Sequence, residues 1–168
     1  MIAAWLWRRA RPRFLEFRAM VVTLSFAAFL TYALVPAAPP WMASDQGEIG
    51  PVTRTVGDVW GTLGIEPAQS IWQGGGAFSN QVAALPSLHA AFPVLFLCFF
   101  WSSGRLPRVI CLVYALAMSL TLVYTGEHYV ADILLGWLYA GATYLAVTWV
   151  RRLLAERRRE GAGVLRVT

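Results

Sequence analysis

The chain has two histidines, and each stands among residues that could give it a chemical role: His89 in Pro86-Ser87-Leu88-His89, and His128 in His128-Tyr129-Val130-Ala131-Asp132. His128 and Asp132 are spaced i, i+4. On a helix they share a face, so the carboxylate can accept a hydrogen bond from one ring nitrogen and leave the other free to attack an electrophile. An aspartate a turn inside an apolar helix is costly unless partnered or solvated, which makes it a functional residue by default. Around His89, Pro86 ends a loop and Ser87 is a natural N-cap, which places the histidine in the first helical turn. Free backbone N–H groups there, the positive end of the helix dipole and the Ser87 hydroxyl together make a site suited to phosphate. The bland alternatives are a plain serine cap and a structural His–Asp pair. A two-His-one-carboxylate zinc site is a further alternative, but a Pro-Ser-x-His helix start suits phosphate better than metal. Neither a metal nor a cofactor is expected.

The elements that position these residues must lie in lipid. Of 168 residues, 58% are hydrophobic and 14% charged, and the mean hydropathy is +0.55, far from a soluble average. Crossing ~30 Å of hydrocarbon takes ~20 helical residues. Four apolar runs qualify, at about 17–37, 84–103, 107–126 and 128–150. The expected fold is an all-α, polytopic transmembrane helical bundle of about four spans, a single membrane-embedded domain over 1–168. All the basic side chains are arginines, and every one except Arg54 flanks the same side of these spans. The positive-inside rule then puts both termini in the cytoplasm, with residues 38–83 and the 126–128 turn outside, so both histidines face outward in a multi-pass plasma-membrane protein. No nucleic-acid partner is expected.

Within the outer loop, Val52, Val56, Trp60 and Leu63 recur at helical spacing, which predicts a short interfacial helix capped by Thr53 that lifts Arg54 toward the outer face. Gly74, Gly75 and Gly76 read as a Gly-rich loop approaching the second span. Gly136 and Ala140, at small-xxx-small spacing, permit close helix contact, within one bundle or between copies in a homo-oligomer. Cys98 and Cys111 lie in apolar runs and read as ordinary buried thiols. The arginine run from Arg151 to Arg159 reads as an anchor on anionic inner-leaflet lipid.

These motifs resemble those of the type-2 phosphatidic acid phosphatase superfamily. Pro86-Ser87-Leu88-His89 is similar to its Pro-Ser-x-His motif, and His128 with Asp132 to the His-x-x-x-Asp end of its last motif. Leu88, the adjacent His128-Tyr129 and Ala37-Ala38-Pro39-Pro40-Trp41 are more similar to the inositol phosphorylceramide synthase-like branch than to ordinary lipid phosphatases. The resemblance covers about residues 17–150. It implies an enzyme of lipid phosphates or lipid-linked substrates in which His128 forms a phosphohistidine, Asp132 orients it, His89 protonates the leaving group and Ser87 binds a phosphate oxygen. Water as acceptor gives a phosphatase, and inositol or another hydroxyl gives a phosphotransferase.

The chain departs from the pattern in two ways. Leu122 stands where the family's phosphatase branch has an arginine, and no cation accompanies Pro36–Pro40, which leaves Arg54 as the candidate phosphate clamp. The family core has six spans, of which only the last four are expected here. A non-catalytic membrane subunit or remnant is therefore the competing reading.

Overall fold

In the computed structural model, which describes residues 2–76 and 82–164, the chain opens with α1 (Ile2–Arg9) and α2 (Arg11–Leu34). Pro12 separates the two. In a continuous helix its ring would collide with the Arg8 carbonyl, whereas in the first turn of a new helix its missing N–H costs nothing. Next come α3 (Pro40–Asp45), a 3₁₀ turn (Thr55–Asp58) running into α4 (Val59–Thr62), and α5 (Glu66–Gly76). Then follow α6 (Leu88–Phe100) with a terminal 3₁₀ turn (Trp101–Ser103), α7 (Arg105–Tyr124) and α8 (Val130–Val164). The described residues contain no strand, only an isolated bridge between Ala37 and Ala83.

The helices α2, α7 and α8 are long and apolar enough to cross a membrane, and α6 is a shorter apolar helix. The protein is therefore an all-α membrane bundle. The second span is shorter than the expected 84–103, because Pro86 and the Ser87 cap delay its start to Leu88. With its terminal turn it covers about 26 Å, against ~30 Å of hydrocarbon. Pro93 is accommodated inside it.

α6 lies at the centre, packed against both α7 and α8, with α2 against α8. Met20 and Leu24 of α2, Ala91, Leu95 and Phe99 of α6, and Ala140 of α8 form the main core. Ala90, Leu122 and Ile133 form a second cluster where α6, α7 and α8 meet. The closest approach is at Gly136, where an added Cβ would sit 2.5 Å from the Ser87 carbonyl oxygen. Only glycine lets the start of α6 press onto α8 there. Ala140, one turn along, is fully buried, so the Gly136–Ala140 seam is occupied within the bundle.

The two ends of the bundle differ in chemistry. At one, Arg13 Nη2 donates to the Phe99 carbonyl at 3.3 Å and its guanidinium lies 5.0 Å from the Phe99 ring, a cation at the C-terminus of α6. At the other, the Tyr32 hydroxyl donates to the Pro86 carbonyl at 2.6 Å, and the Thr31 and Tyr139 hydroxyls bond at 2.7 Å. There too the Ser87 N–H donates to the Asp132 carbonyl at 3.1 Å. The end of α2 and the starts of α6 and α8 therefore converge. The Ala37 N–H donates to Val82 O and the Ala84 N–H to Ala37 O, fastening both ends of the long connection to this same end.

Two local expectations need correction. Val52, Val56, Trp60 and Leu63 do not form one helix: the 3₁₀ turn and α4 share that stretch, and Arg54, not Thr53, occupies the N-cap position, with no side-chain capping bond. The backbone tightens because Val52 is held by its N–H to Ser44 Oγ at 2.9 Å, outside any helix. Gly74, Gly75 and Gly76 complete α5 instead of breaking it; no proline interrupts this segment after Pro67, and glycine merely weakens a helix.

Candidate active site

His128 is set by the turn that joins α7 to α8. Gly126 adopts φ +72°, and the backbone N–H groups of Glu127 and His128 both donate to the Leu122 carbonyl, at 3.1 and 3.2 Å. The positive φ and the crowding there both call for glycine, since a Cβ at 126 would lie 2.7 Å from Val52 Cγ1. The sequence places the helix start near His128, but α8 begins at Val130, so the histidine lies just outside it. Asp132 is the physical reason. Its Oδ2 accepts the Tyr129 backbone N–H at 2.9 Å, as the third residue of a helix does when it caps from within. The same oxygen stands 3.3 Å from His128 Nδ1. One carboxylate thus ends the turn and orients the ring, and with the proton on Nδ1 the Nε2 lone pair is free. His128 is 9% exposed and Asp132 is buried.

His89 occupies the first turn of α6 and is exposed. Its ring centroid lies 6.3 Å from that of His128. The two histidines predicted to meet are therefore neighbours, although 39 residues of chain and all of α7 separate them. Ser87 caps α6 as expected, its Oγ accepting the Ala90 N–H at 3.4 Å, and it has no exposed surface. The hydroxyl proton is the one donor this cap leaves uncommitted.

The helix start is less open to an anion than its sequence implies. The Ser87 N–H is taken by Asp132 O, the Ala90 N–H by Ser87 Oγ and the Ala91 N–H by Ser87 O. The Tyr32 hydroxyl donates to the Pro86 carbonyl just before the cap. Tyr32 is a site neighbour that sequence reasoning missed, since nothing local connects a tyrosine in the first span to a cap 54 residues on. Because the fold satisfies these donors, a side-chain cation adds to what the helix start offers an anion.

Arg54 is brought to the site, but not as a free cation. Its Nε donates to Glu127 Oε1 at 2.7 Å and its Nη2 to Oε2 at 3.3 Å, and its guanidinium lies 4.2 Å from the centroid of the Trp41 ring. From the sequence Trp41 stood only within the Ala37–Trp41 stretch, and neither it nor Glu127 was connected to Arg54. The available signal was an acid directly before His128 facing the lone outer-loop arginine. As for zinc, among the described residues no group of three His, Cys, Asp or Glu side chains is arranged to hold a metal.

Known proteins share this pattern of sequence. Residues 1–146 match the PAP2 superfamily. The chain is 32% identical over 137 residues to a phosphoinositol dihydroceramide synthase of Bacteroides thetaiotaomicron, an alignment covering 77% of this chain and 44% of that protein. The chain thus spans less than half the length of that relative. No solved structure matches it. Because the family match runs through all four bundle helices and both histidine motifs, the chain belongs to the PAP2 superfamily.

Proposed function

We propose that the protein is a membrane enzyme that transfers or hydrolyses a phosphoryl or phospho-headgroup on a lipid or lipid-linked substrate through a phosphohistidine on His128. The observation that carries this reading is the pairing of an Asp132-oriented His128 with an exposed His89 whose ring centroid is 6.3 Å away. His128 Nε2 attacks phosphorus and forms an N–P bond as the bond from phosphorus to the leaving oxygen breaks. His89 gives its proton to that oxygen. An acceptor hydroxyl then attacks the same phosphorus, His89 takes its proton, and the N–P bond breaks, restoring both histidines. Asp132 stabilises the imidazolium character that His128 gains during attack. Arg54 and the Ser87 hydroxyl proton supply donors to the phosphate oxygens.

Transfer to a hydroxyl is favoured over hydrolysis by the similarity to a phosphoinositol dihydroceramide synthase. Inositol-bearing lipids and lipid hydroxyl acceptors are accordingly the first substrates to try. The placement of arginines at the end of the bundle away from the histidines supports an extracytoplasmic site in the plasma membrane.

The test uses the purified full chain with radiolabelled phosphatidate, polyprenyl diphosphate and phosphatidylinositol, each with and without a dihydroceramide or inositol acceptor. His128→Ala should abolish covalent labelling and turnover together. Turnover that survives this substitution would sink the assignment, and product identity separates transfer from hydrolysis.

A further inference from the structure

We infer that Glu127 and Trp41 are positioning residues for Arg54, holding its guanidinium beside His128 as the cationic wall of the phosphate site. The inference rests on the phosphoryl-transfer reading above and gives a role to two residues, Glu127 and Trp41, that this reading leaves without one. Three stretches of chain meet at this point. Glu127 grips Arg54 through both carboxylate oxygens, at 2.7 and 3.3 Å. Trp41 lies under the guanidinium at 4.2 Å and is itself tied to the turn by its backbone N–H, which donates to the Gly126 carbonyl at 3.2 Å. Val52 and Thr53, directly before Arg54, pack against Gly126 closely enough that a Cβ there would lie 2.7 Å from Val52 Cγ1 and 3.4 Å from Thr53 O.

An exposed ion pair contributes little to stability by itself, and here the side chains of Arg54 and Glu127 are 39% and 21% exposed. The arrangement does more than close a loop. A two-point carboxylate grip fixes the plane of the guanidinium, and the aromatic face limits its tilt. Two of the five guanidinium N–H donors are spent on Glu127, leaving three for an anion. Glu127 directly precedes His128, so fixing Arg54 on Glu127 fixes it relative to the nucleophile. Such a cation adds to what the start of α6 offers an anion, because the N–H groups of Ser87 and Ala90 already have partners within the fold.

The opposite role for Glu127 is also physically definite. A carboxylate beside the phosphate could compete with it for Arg54, and the two roles predict opposite signs. The experiment measures inhibition by inorganic phosphate, together with kcat/KM, on the full chain in detergent. If Glu127 positions Arg54, Glu127→Gln and Arg54→Gln should each weaken phosphate inhibition about tenfold and lower kcat/KM by about 10- to 100-fold. The double variant should be no worse than either single one, because both remove the same interaction. Trp41→Ala should act in the same direction and Trp41→Phe less. Tighter phosphate inhibition in Glu127→Gln, or losses that add in the double variant, overturns the inference.

Should Glu127→Gln fail to fold, the charge-exchanged pair Arg54→Glu/Glu127→Arg restores the ion pair but moves the cation. It should fold and remain inactive, and recovery of wild-type turnover would count against positioning. His128→Ala, run alongside, keeps the two readings apart. Its retained turnover removes the phosphohistidine, whereas its inactivity with an unchanged Glu127→Gln removes only the present inference.

Discussion

The starts of α6 and α8 meet the same requirement, partners for the first backbone N–H groups of a helix, in opposite ways. At α6 the cap is Ser87, outside the helix and fully buried, and the histidine follows it into the first turn. At α8 the cap is Asp132, inside the helix, and the histidine precedes it in the turn. On the proposed mechanism the consequence is a division of labour. The neutral cap accompanies an exposed His89, placed to give and take protons. A carboxylate cap that also faces His128 Nδ1 orients the second ring, which is buried, and favours the tautomer with its proton on Nδ1. A donor needs freedom to exchange protons with what enters the site, and a nucleophile needs a fixed lone pair.

That contrast can be broken most severely at the charged cap. Asp132→Asn retains an oxygen that can accept the Tyr129 N–H, but it no longer carries the charge that stabilises His128. Turnover should fall by about 10³- to 10⁴-fold, with loss of covalent labelling. His89→Ala should cost less, about 10²-fold, and should be rescued on a substrate whose leaving group needs no proton, such as a nitrophenyl phosphate ester. Equal rescue of both variants by that substrate would erase the proposed difference in roles.

A smaller effect is expected where the two helix starts touch. Gly136→Ala puts a Cβ 2.5 Å from the Ser87 carbonyl oxygen, so α6 must shift away from α8. The expected cost is about 1–3 kcal/mol in unfolding free energy, read from thermal unfolding in detergent, together with reduced activity from the displaced His89. The smallest effect belongs to Ser87→Ala. It removes a cap whose bond is long, at 3.4 Å, and should cost about 0.5–1 kcal/mol. A larger loss of activity than of stability in Ser87→Ala would indicate that the hydroxyl proton is used by the phosphate and is not merely part of a cap.

Much of the bundle was legible in the sequence because its signals are short-range. Apolar runs of sufficient length predicted the helices, proline marked where α2 stops and α6 can begin, and the Ser87 cap was found where it was read. The His128–Asp132 contact was also legible, but its reason was not the expected one. The two residues meet across a capped turn and do not share a helical face, because the aspartate that orients the histidine also determines where the helix starts. The long connection was read least well. Its apolar residues have helical spacing, yet Val52 is held by Ser44 of α3 and packs against the turn at Gly126, the second a contact that no short window of sequence contains.

The sequence by itself determined a lipid-embedded helical bundle, the side on which its arginines collect, and the two histidines with their immediate partners. Each of these follows from hydropathy, capping or i, i+4 spacing, which act within a few residues. Only the tertiary structure decided what surrounds the histidines: Tyr32 at the start of α6, the glycine that lets α6 reach α8, and Arg54 carried to Glu127 across 73 residues and braced on Trp41. Those contacts depend on how the helices pack and where the long connection is pinned, and packing is a property of the whole chain.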